Sequence, residues 1–241
     1  MIPYLDSQSQ FPSTDNALLK PNGLLAAGAE LSLKCLTNAY SNGIFPWYSE
    51  DEPILWWSPN PRTIFNLNEF KPSRSLKRFI KNSNLTVTLN CDFAAVIENC
   101  ALPRSQQEET WITDDMKSAY INLHNNKLAH SVEVWQNTEL VGGIYGVAIG
   151  KLFCGESMFS RINNGSKVAL TYLVEHLKTE AFPIIDCQVE NPHLNSLGAA
   201  QIDREAYLSI VQQTTKEFIP DEFWSKQRLA TLTKTRSENC K

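Results

Sequence analysis

Four groups of residues in this 241-residue chain have types and spacings that could do chemistry. Glu156 lies in LFCGESMF (152–159), where Leu152, Cys154, Glu156 and Met158 alternate onto one strand face. A carboxylate among apolar neighbours is costly unless something uses it, so it belongs at a sheet edge or faces a cavity. Asp186 and Gln188 in PIIDCQVEN (183–191) fall side by side on one strand face, about 6–7 Å apart along the strand. That face is either exposed or, as the near-continuous apolar run argues, part of a strand buried on both sides. GIFPWYS (43–49) and ILWWSPNPR (54–62) hold three of the six tryptophans and, with Pro53, four prolines. They read as a packed small domain or as an aromatic platform for a flat ligand. Arg74, Lys77, Arg78 and Lys81 repeat at helical spacing in KPSRSLKRFIKNS, opposite Leu76, Phe79 and Ile80. Such a stripe is a solvated helix face or a contact for phosphates.

The elements that must position these groups follow from periodicity and punctuation. Ser131 to Phe159 reads as three strands separated at Asn137-Thr138 and Gly150-Lys151, at hairpin spacing. Helices are predicted after Ser32, Ser73, Asp92 and Thr113, each a residue that caps well, with Gly43 a natural stop for the first. LTVTLN (85–90) is a strand, RSQQEE (104–109) a loop, and a further helix starts near Ser166. HLNSLGA and DREAYLSIVQQTTKEF supply two more helices. The order strand, two helices, three-strand meander, helix, strand, helix describes a mixed α/β (α+β) sheet with helices on both faces, compatible with an acyltransferase-like core. The chain divides into a small N-terminal domain (1–62), a mixed-sheet domain (63–224) and a polar tail (225–241) that is expected to be loose.

Composition narrows the function classes. A hydrophobic fraction of 42% and a charged fraction of 20% are those of a globular chain. No apolar run reaches the roughly 18 residues of a membrane span, and the N-terminus has neither a basic nor an apolar signal region. Neither a membrane nor a metal is therefore expected. The six cysteines are scattered without a C-x-x-C pair, and the four histidines lack ligand spacing. Free thiols in a reducing cytoplasm are expected, with His124 and His130 structural or exposed. The net charge of −4 argues against broad non-specific nucleic-acid binding, but leaves room for a local basic patch.

Seven stretches together resemble one family: GIFPW (43–47), ILWWSPNPR (54–62), TWIT (110–113), HSVEVW (130–135), LVGGIYGVAIGKLFCGESMFSR (140–161), Ser166-Lys167 with Ala169-Leu170, and IDCQV (185–189). They are similar to the leucyl/phenylalanyl-tRNA–protein transferases from about Phe11 to Trp224. The resemblance implies a small N-terminal domain followed by a GNAT (acetyltransferase)-like domain. It implies transfer of leucine or phenylalanine, less readily methionine, from the 3′ end of charged tRNA to proteins with N-terminal Arg or Lys, which marks them for N-degron (N-end rule) degradation. Aminoacyl-tRNA is then a substrate, no cofactor is needed, and a monomer in the cytoplasm is expected.

By the same resemblance, Trp47 and Trp111 match the tryptophans that hold the terminal adenosine. Asp186 and Gln188 match the proposed catalytic pair, and Glu156 an acid at the acceptor site. Ile144, Met158, Leu170, Leu173, Leu177 and Ile185 fall where the family forms its amino-acid side-chain pocket. By the resemblance, methionine or phenylalanine is expected in some relatives at the positions of Ile144, Leu173 and Leu177, which leaves the ranking of leucine, phenylalanine and methionine open. The chemistry asks little of the protein. A free α-amino group has a pKa of about 7.7–8.0, and positioning alone reaches effective molarities on the order of 10⁵ M. Gln188 is expected to donate its amide to Asp186 and to orient the attacking amine with its carbonyl, acting as an orienting group first and a base second. Glu156 and Asp186 are expected to form an acidic wall for an Arg or Lys side chain. The basic stripe becomes a candidate for acceptor-stem phosphates. Two other readings are an acyl-CoA-dependent N-acetyltransferase and a non-catalytic tRNA- or peptide-binding module. SRINNGSK (160–167) lacks the glycine spacing of a pyrophosphate turn, which disfavours the first.

Overall fold

The computed structural model describes residues 2–103 and 111–230. The loop expected over 104–109 and Thr110 lie outside the described residues. Among the described residues, twelve strands and seven α-helices run in chain order. The first part holds β1 (Tyr4–Leu5), β2 (Leu24–Gly28), α1 (Leu33–Ser41), β3 (Phe45–Pro46) and β4 (Leu55–Trp57). Then come β5 (Arg62–Asn66), α2 (Arg74–Asn82), β6 (Leu85–Leu89), α3 (Phe93–Ala101) and α4 (Asp114–Asn125). The meander is β7 (Ala129–Gln136), β8 (Glu139–Ile149) and β9 (Leu152–Ser160). It is followed by α5 (Gly165–Thr179), β10 (Ile184–Asp186), α6 (Pro192–Ser196), β11 (Ala200–Ile202), α7 (Arg204–Thr214) and β12 (Gln227–Arg228).

Strands β1 to β4 form a small sheet in the order β1-β2-β4-β3, and the remaining eight form the order β11-β5-β10-β9-β8-β7-β6-β12. The mixed α/β architecture with helices on both faces is the one the sequence predicts. The helix starts agree as well: Ser32, Ser73, Asp92 and Thr113 each accept a hydrogen bond from a backbone N–H in the first turn. The two hairpins turn through Asn137 at φ 57° and Gly150 at φ 54°, the positive values that such tight turns require.

Two apolar layers cover the large sheet. On one face, Val96, Ile97, Met116, Tyr120 and Tyr207 pack with Tyr145, Val147 and Cys154, and Leu25 and Trp56 of the small sheet join the same cluster. On the other face, Leu76, Ile80, Leu170, Leu173 and Leu177 pack with Val132, Ile144 and Ile185. The small sheet therefore shares a core with the main sheet. Among the described residues, no helix is long and apolar enough to cross a membrane, and the five described cysteines are free thiols.

Three expectations fail for identifiable reasons. The strand predicted over 183–191 ends at Asp186, because Gln188 takes φ 56° and turns the chain. Of the tail predicted loose from Ser225, residues 225–230 are ordered, and 231–241 lie outside the described residues. β12 pairs with β6, and the Leu229 N–H donates to the Val87 carbonyl at 2.9 Å. It supplies the partner that the open edge of β6 would otherwise lack. Just ahead of it, Trp224 stacks on the buried His130 ring at 3.8 Å between centroids. Finally, Leu152, Cys154, Glu156 and Met158 do not share a face. Tyr145 is opposite Ser157 but Gly146 is opposite Gly155, so Glu156 is an extra residue in β9, a bulge. Cys154 packs on one face of the sheet and Met158 against the other.

Candidate active site

The bulge lies beside a fork in the sheet. β10 runs parallel to β9, with Ile185 opposite Phe153 and Asp186 opposite Cys154, and the pairing stops there. Beyond it β9 carries Glu156 while β10 turns away at Gln188. Gly146 makes the bulge possible: a Cβ at this position would stand 2.2 Å from the Cys154 carbonyl oxygen.

Glu156 is half-buried, and three elements point at its carboxylate. Tyr40 of α1 donates to Oε1 at 2.8 Å and Tyr120 of α4 to Oε2 at 2.8 Å. The Gln188 amide donates to Oε1 at 3.2 Å. Burial, only partly offset by the Tyr120 and Tyr40 hydroxyls, pushes the Glu156 carboxyl up to about 7. Sequence reasoning left this acid at a sheet edge or facing a cavity, and did not find the two tyrosines that hold it. Both sit on the apolar stripes of their helices, where a phenol reads as core.

Asp186 is in a different state. It is fully buried, and Arg62 grips it from β5 with Nε to Oδ1 at 2.8 Å and Nη2 to Oδ2 at 2.7 Å. The Tyr207 hydroxyl donates to Oδ2 at 2.8 Å and the Gln188 backbone N–H to Oδ1 at 3.0 Å. Arg62 is itself 1% exposed, donates to the Gly43 carbonyl at 3.1 Å, and lies over the Phe45 and Tyr207 rings. Burial pushes the Asp186 carboxyl up, but the charge and hydrogen bonds of Arg62 outweigh this and hold it below the usual carboxylate range.

Two expectations are corrected here. The Gln188 side chain donates to Glu156 rather than to Asp186. Asp186, enclosed and paired, cannot form an acidic wall open to a substrate. Arg62 and Tyr207, which hold Asp186, are residues that sequence reasoning missed. The signal was there for Arg62, since an aspartate inside an apolar strand demands a cation.

Ile144, Leu170, Leu173, Leu177 and Ile185 are all buried in one apolar cluster, with half-buried Met158 at its margin. Ile144 and Met158 are cross-strand partners. Trp47 is 42% exposed and lies 5.7 Å from the Trp57 ring, whose indole N–H donates to the Trp47 carbonyl at 2.6 Å. Trp111 is half-buried. Arg74, Lys77, Arg78 and Lys81 are exposed along α2, as the spacing predicts, and Lys81 and Arg228 line one groove.

Residues 64–212 match the family model of the leucyl/phenylalanyl-tRNA protein transferases, and residues 29–60 match that of their N-terminal domain. The chain is 54% identical to the leucyl/phenylalanyl-tRNA–protein transferase of Hahella chejuensis, over 88% of this chain and 90% of that protein. It is 48% identical to that of Shewanella pealeana, over 95% and 97% of the two, and 49% identical to that of Pseudomonas syringae, over 95% and 100%. Among solved structures, L-PGS from Bacillus licheniformis is similar at a TM-score of 0.40 and 11% identity, over 69% of this chain and 53% of that one. A conserved protein from Staphylococcus epidermidis is similar at 0.41 and 9%, over 75% and 68%. Aminoacyltransferase is thus the class of enzyme at hand. The chain belongs to the leucyl/phenylalanyl-tRNA–protein transferase family.

Proposed function

We propose that this enzyme moves leucine or phenylalanine, and less readily methionine, from aminoacyl-tRNA to the α-amino group of proteins that begin with Arg or Lys. The product is marked for N-degron degradation in the cytoplasm. The enzyme works as a monomer and without a cofactor. The observation that carries this reading is the fork at Glu156, where a half-buried acid lies one residue from Gly155, against which Ile185 of the apolar cluster packs. A cationic N-terminus is drawn to the acid, and an aminoacyl side chain to the cluster.

In this reading Trp47 and Trp111 hold the terminal adenosine. Ile144, Met158, Leu170, Leu173, Leu177 and Ile185 receive the leucyl or phenylalanyl side chain. Gln188 orients the attacking amine, and Asp186 positions Gln188 through its backbone N–H. The reaction is downhill, so alignment of amine and ester supplies most of the acceleration. The direct test is whether purified protein transfers radiolabelled leucine from Leu-tRNA to a peptide beginning with Arg, but not to one beginning with Ala. No transfer beside a competent control enzyme would sink the proposal.

Two further results are expected. Trp47→Ala removes one stacking face, worth about 1–3 kcal/mol per base, and should raise the KM for aminoacyl-tRNA while leaving the KM for the peptide unchanged. The stripe Arg74, Lys77, Arg78 and Lys81 meets acceptor-stem phosphates. In the double variant Lys77→Ala, Arg78→Ala, the log–log salt dependence of tRNA binding should flatten by about 1 for each phosphate no longer neutralised. An unchanged slope would return the stripe to a solvated face.

A further inference from the structure

Three oxygen-bearing groups close a ring at the fork. Tyr40 is 2.8 Å from Glu156 Oε1, Tyr120 is 2.8 Å from Oε2, and the two tyrosine hydroxyls are 2.5 Å from each other. With the carboxyl ionised, two hydroxyl protons serve three oxygen–oxygen links, and one link has none. A single added proton completes the circle: Glu156 donates to Tyr120, Tyr120 to Tyr40, and Tyr40 back to Oε1. Oε1 already takes two donors, Tyr40 and Gln188, whereas among the described residues Oε2 takes Tyr120 alone. A carboxylate oxygen accepts about two hydrogen bonds, so Oε2 keeps a position for one more donor.

We propose that Glu156 is the catalytic residue that takes a proton from the α-ammonium of the acceptor, with Tyr40 and Tyr120 as its positioning residues. This rests on the transfer reading above and deepens it. The other polar groups of the fork are unfit for the task. Asp186 is fully buried and holds four donors, from Arg62, Tyr207 and Gln188. An amide such as Gln188 is a poor base.

The groups acting on Glu156 come from every side: Tyr40 from α1, Tyr120 from α4, Tyr145 from β8, Cys154 from β9, Asp186 from β10 and Arg62 from β5. Burial and Asp186 favour the protonated acid, and Arg62 and the two hydroxyls the ionised one. Two carboxyls whose surroundings drive them in opposite directions are the usual sign of divided acid–base roles.

The step balances as follows. The α-ammonium gives one proton to Glu156 and becomes a neutral amine. The amine attacks the ester carbonyl, forming the C–N bond. As the C–O bond to the tRNA sugar breaks, the second ammonium-type proton passes from nitrogen to the departing sugar oxygen. Glu156 then releases its proton to solvent.

The test is single-turnover transfer at saturating acceptor, with two acceptors, across pH about 6 to 9.5. One is a peptide with N-terminal Arg, and the other is the same peptide ending in an aminooxy group, a nucleophile already neutral at pH 6. With the Arg peptide, Glu156→Gln should be at least about 100-fold slower than wild type below pH 7. The deficit should shrink above the amine's own pKa of about 7.7–8.0, where no base is needed. With the aminooxy peptide the two enzymes should differ little at any pH. An equal deficit with both acceptors, or a deficit as large at pH 9.5 as at pH 6.5, overturns the proposal. If wild-type enzyme transfers to neither acceptor, it is the transfer reading that fails.

Discussion

Replacing Arg62 by methionine is expected to cost about 3–5 kcal/mol of folding free energy and to stop transfer. Arg62 is 1% exposed and its partner Asp186 is 0% exposed. Removing the guanidinium leaves a carboxylate in the core with Tyr207 and one backbone N–H as its remaining partners. The sign of the pH dependence reverses with the substitution. In wild type the Asp186 carboxyl is held below its usual value, so the pair contributes stability at neutral pH. That contribution is lost as pH falls through the folded value, below about 4.

Without Arg62 only burial and weaker hydrogen bonds remain, and burial raises a carboxyl pKa. The variant should then be least stable at neutral pH and recover as Asp186 takes up a proton. Urea midpoints at about pH 7 and pH 5 would measure this. A loss under about 1 kcal/mol at neutral pH would refute the assignment. The double variant Arg62→Met, Asp186→Leu separates the two roles. An apolar pair of similar volume often matches or exceeds a buried ion pair in stability, so most of the loss should return. Transfer should not return, because the Gln188 backbone N–H loses the carboxylate that fixes its turn.

Leu177→Ala should cost about 2–5 kcal/mol, from lost burial and the cavity left behind. It should also move the enzyme towards phenylalanine. Leu177 is fully buried in α5, among Ile144, Leu170, Leu173 and Ile185. If this cluster receives the aminoacyl side chain, the methyl groups removed enlarge the space for a ring. In an apolar pocket each methylene changes discrimination by about 1–3 kcal/mol. Competition between Leu-tRNA and Phe-tRNA for one acceptor gives the ratio directly. A destabilised variant with an unchanged ratio would make Leu177 core and nothing more. Met158, half-buried and unbranched at the edge of the cluster, is the residue best suited to move aside for the substrate.

The sequence by itself determined the local features, because each rests on neighbours in the chain. Two-residue turns at Asn137 and Gly150, capping residues at Ser32, Ser73, Asp92 and Thr113, and the basic stripe of α2 are all written within a few positions. Resemblance over seven stretches added the family, which the relatives bear out. What the tertiary structure decided were the matters that depend on residues far apart. Arg62 and Asp186 stand on strands brought together only by the sheet. Tyr40, Tyr120 and Glu156 come from three elements that meet at one carboxylate.

The bulge at Glu156 depends on how β8 counts against β9, which no alternation rule applied to β9 alone can reveal. That one extra residue sends Met158 to the opposite face from Cys154 and aims Glu156 between the tyrosines. The positive φ at Gln188 belongs to the same class of feature: a turn held by the Asp186 carboxylate, inside a run whose composition reads as continuous strand. Periodicity reports which side of an element is apolar. Which charge meets which partner, and so which of the two acids is free to accept a proton, is settled by packing and by the cost of leaving a buried charge unpaired.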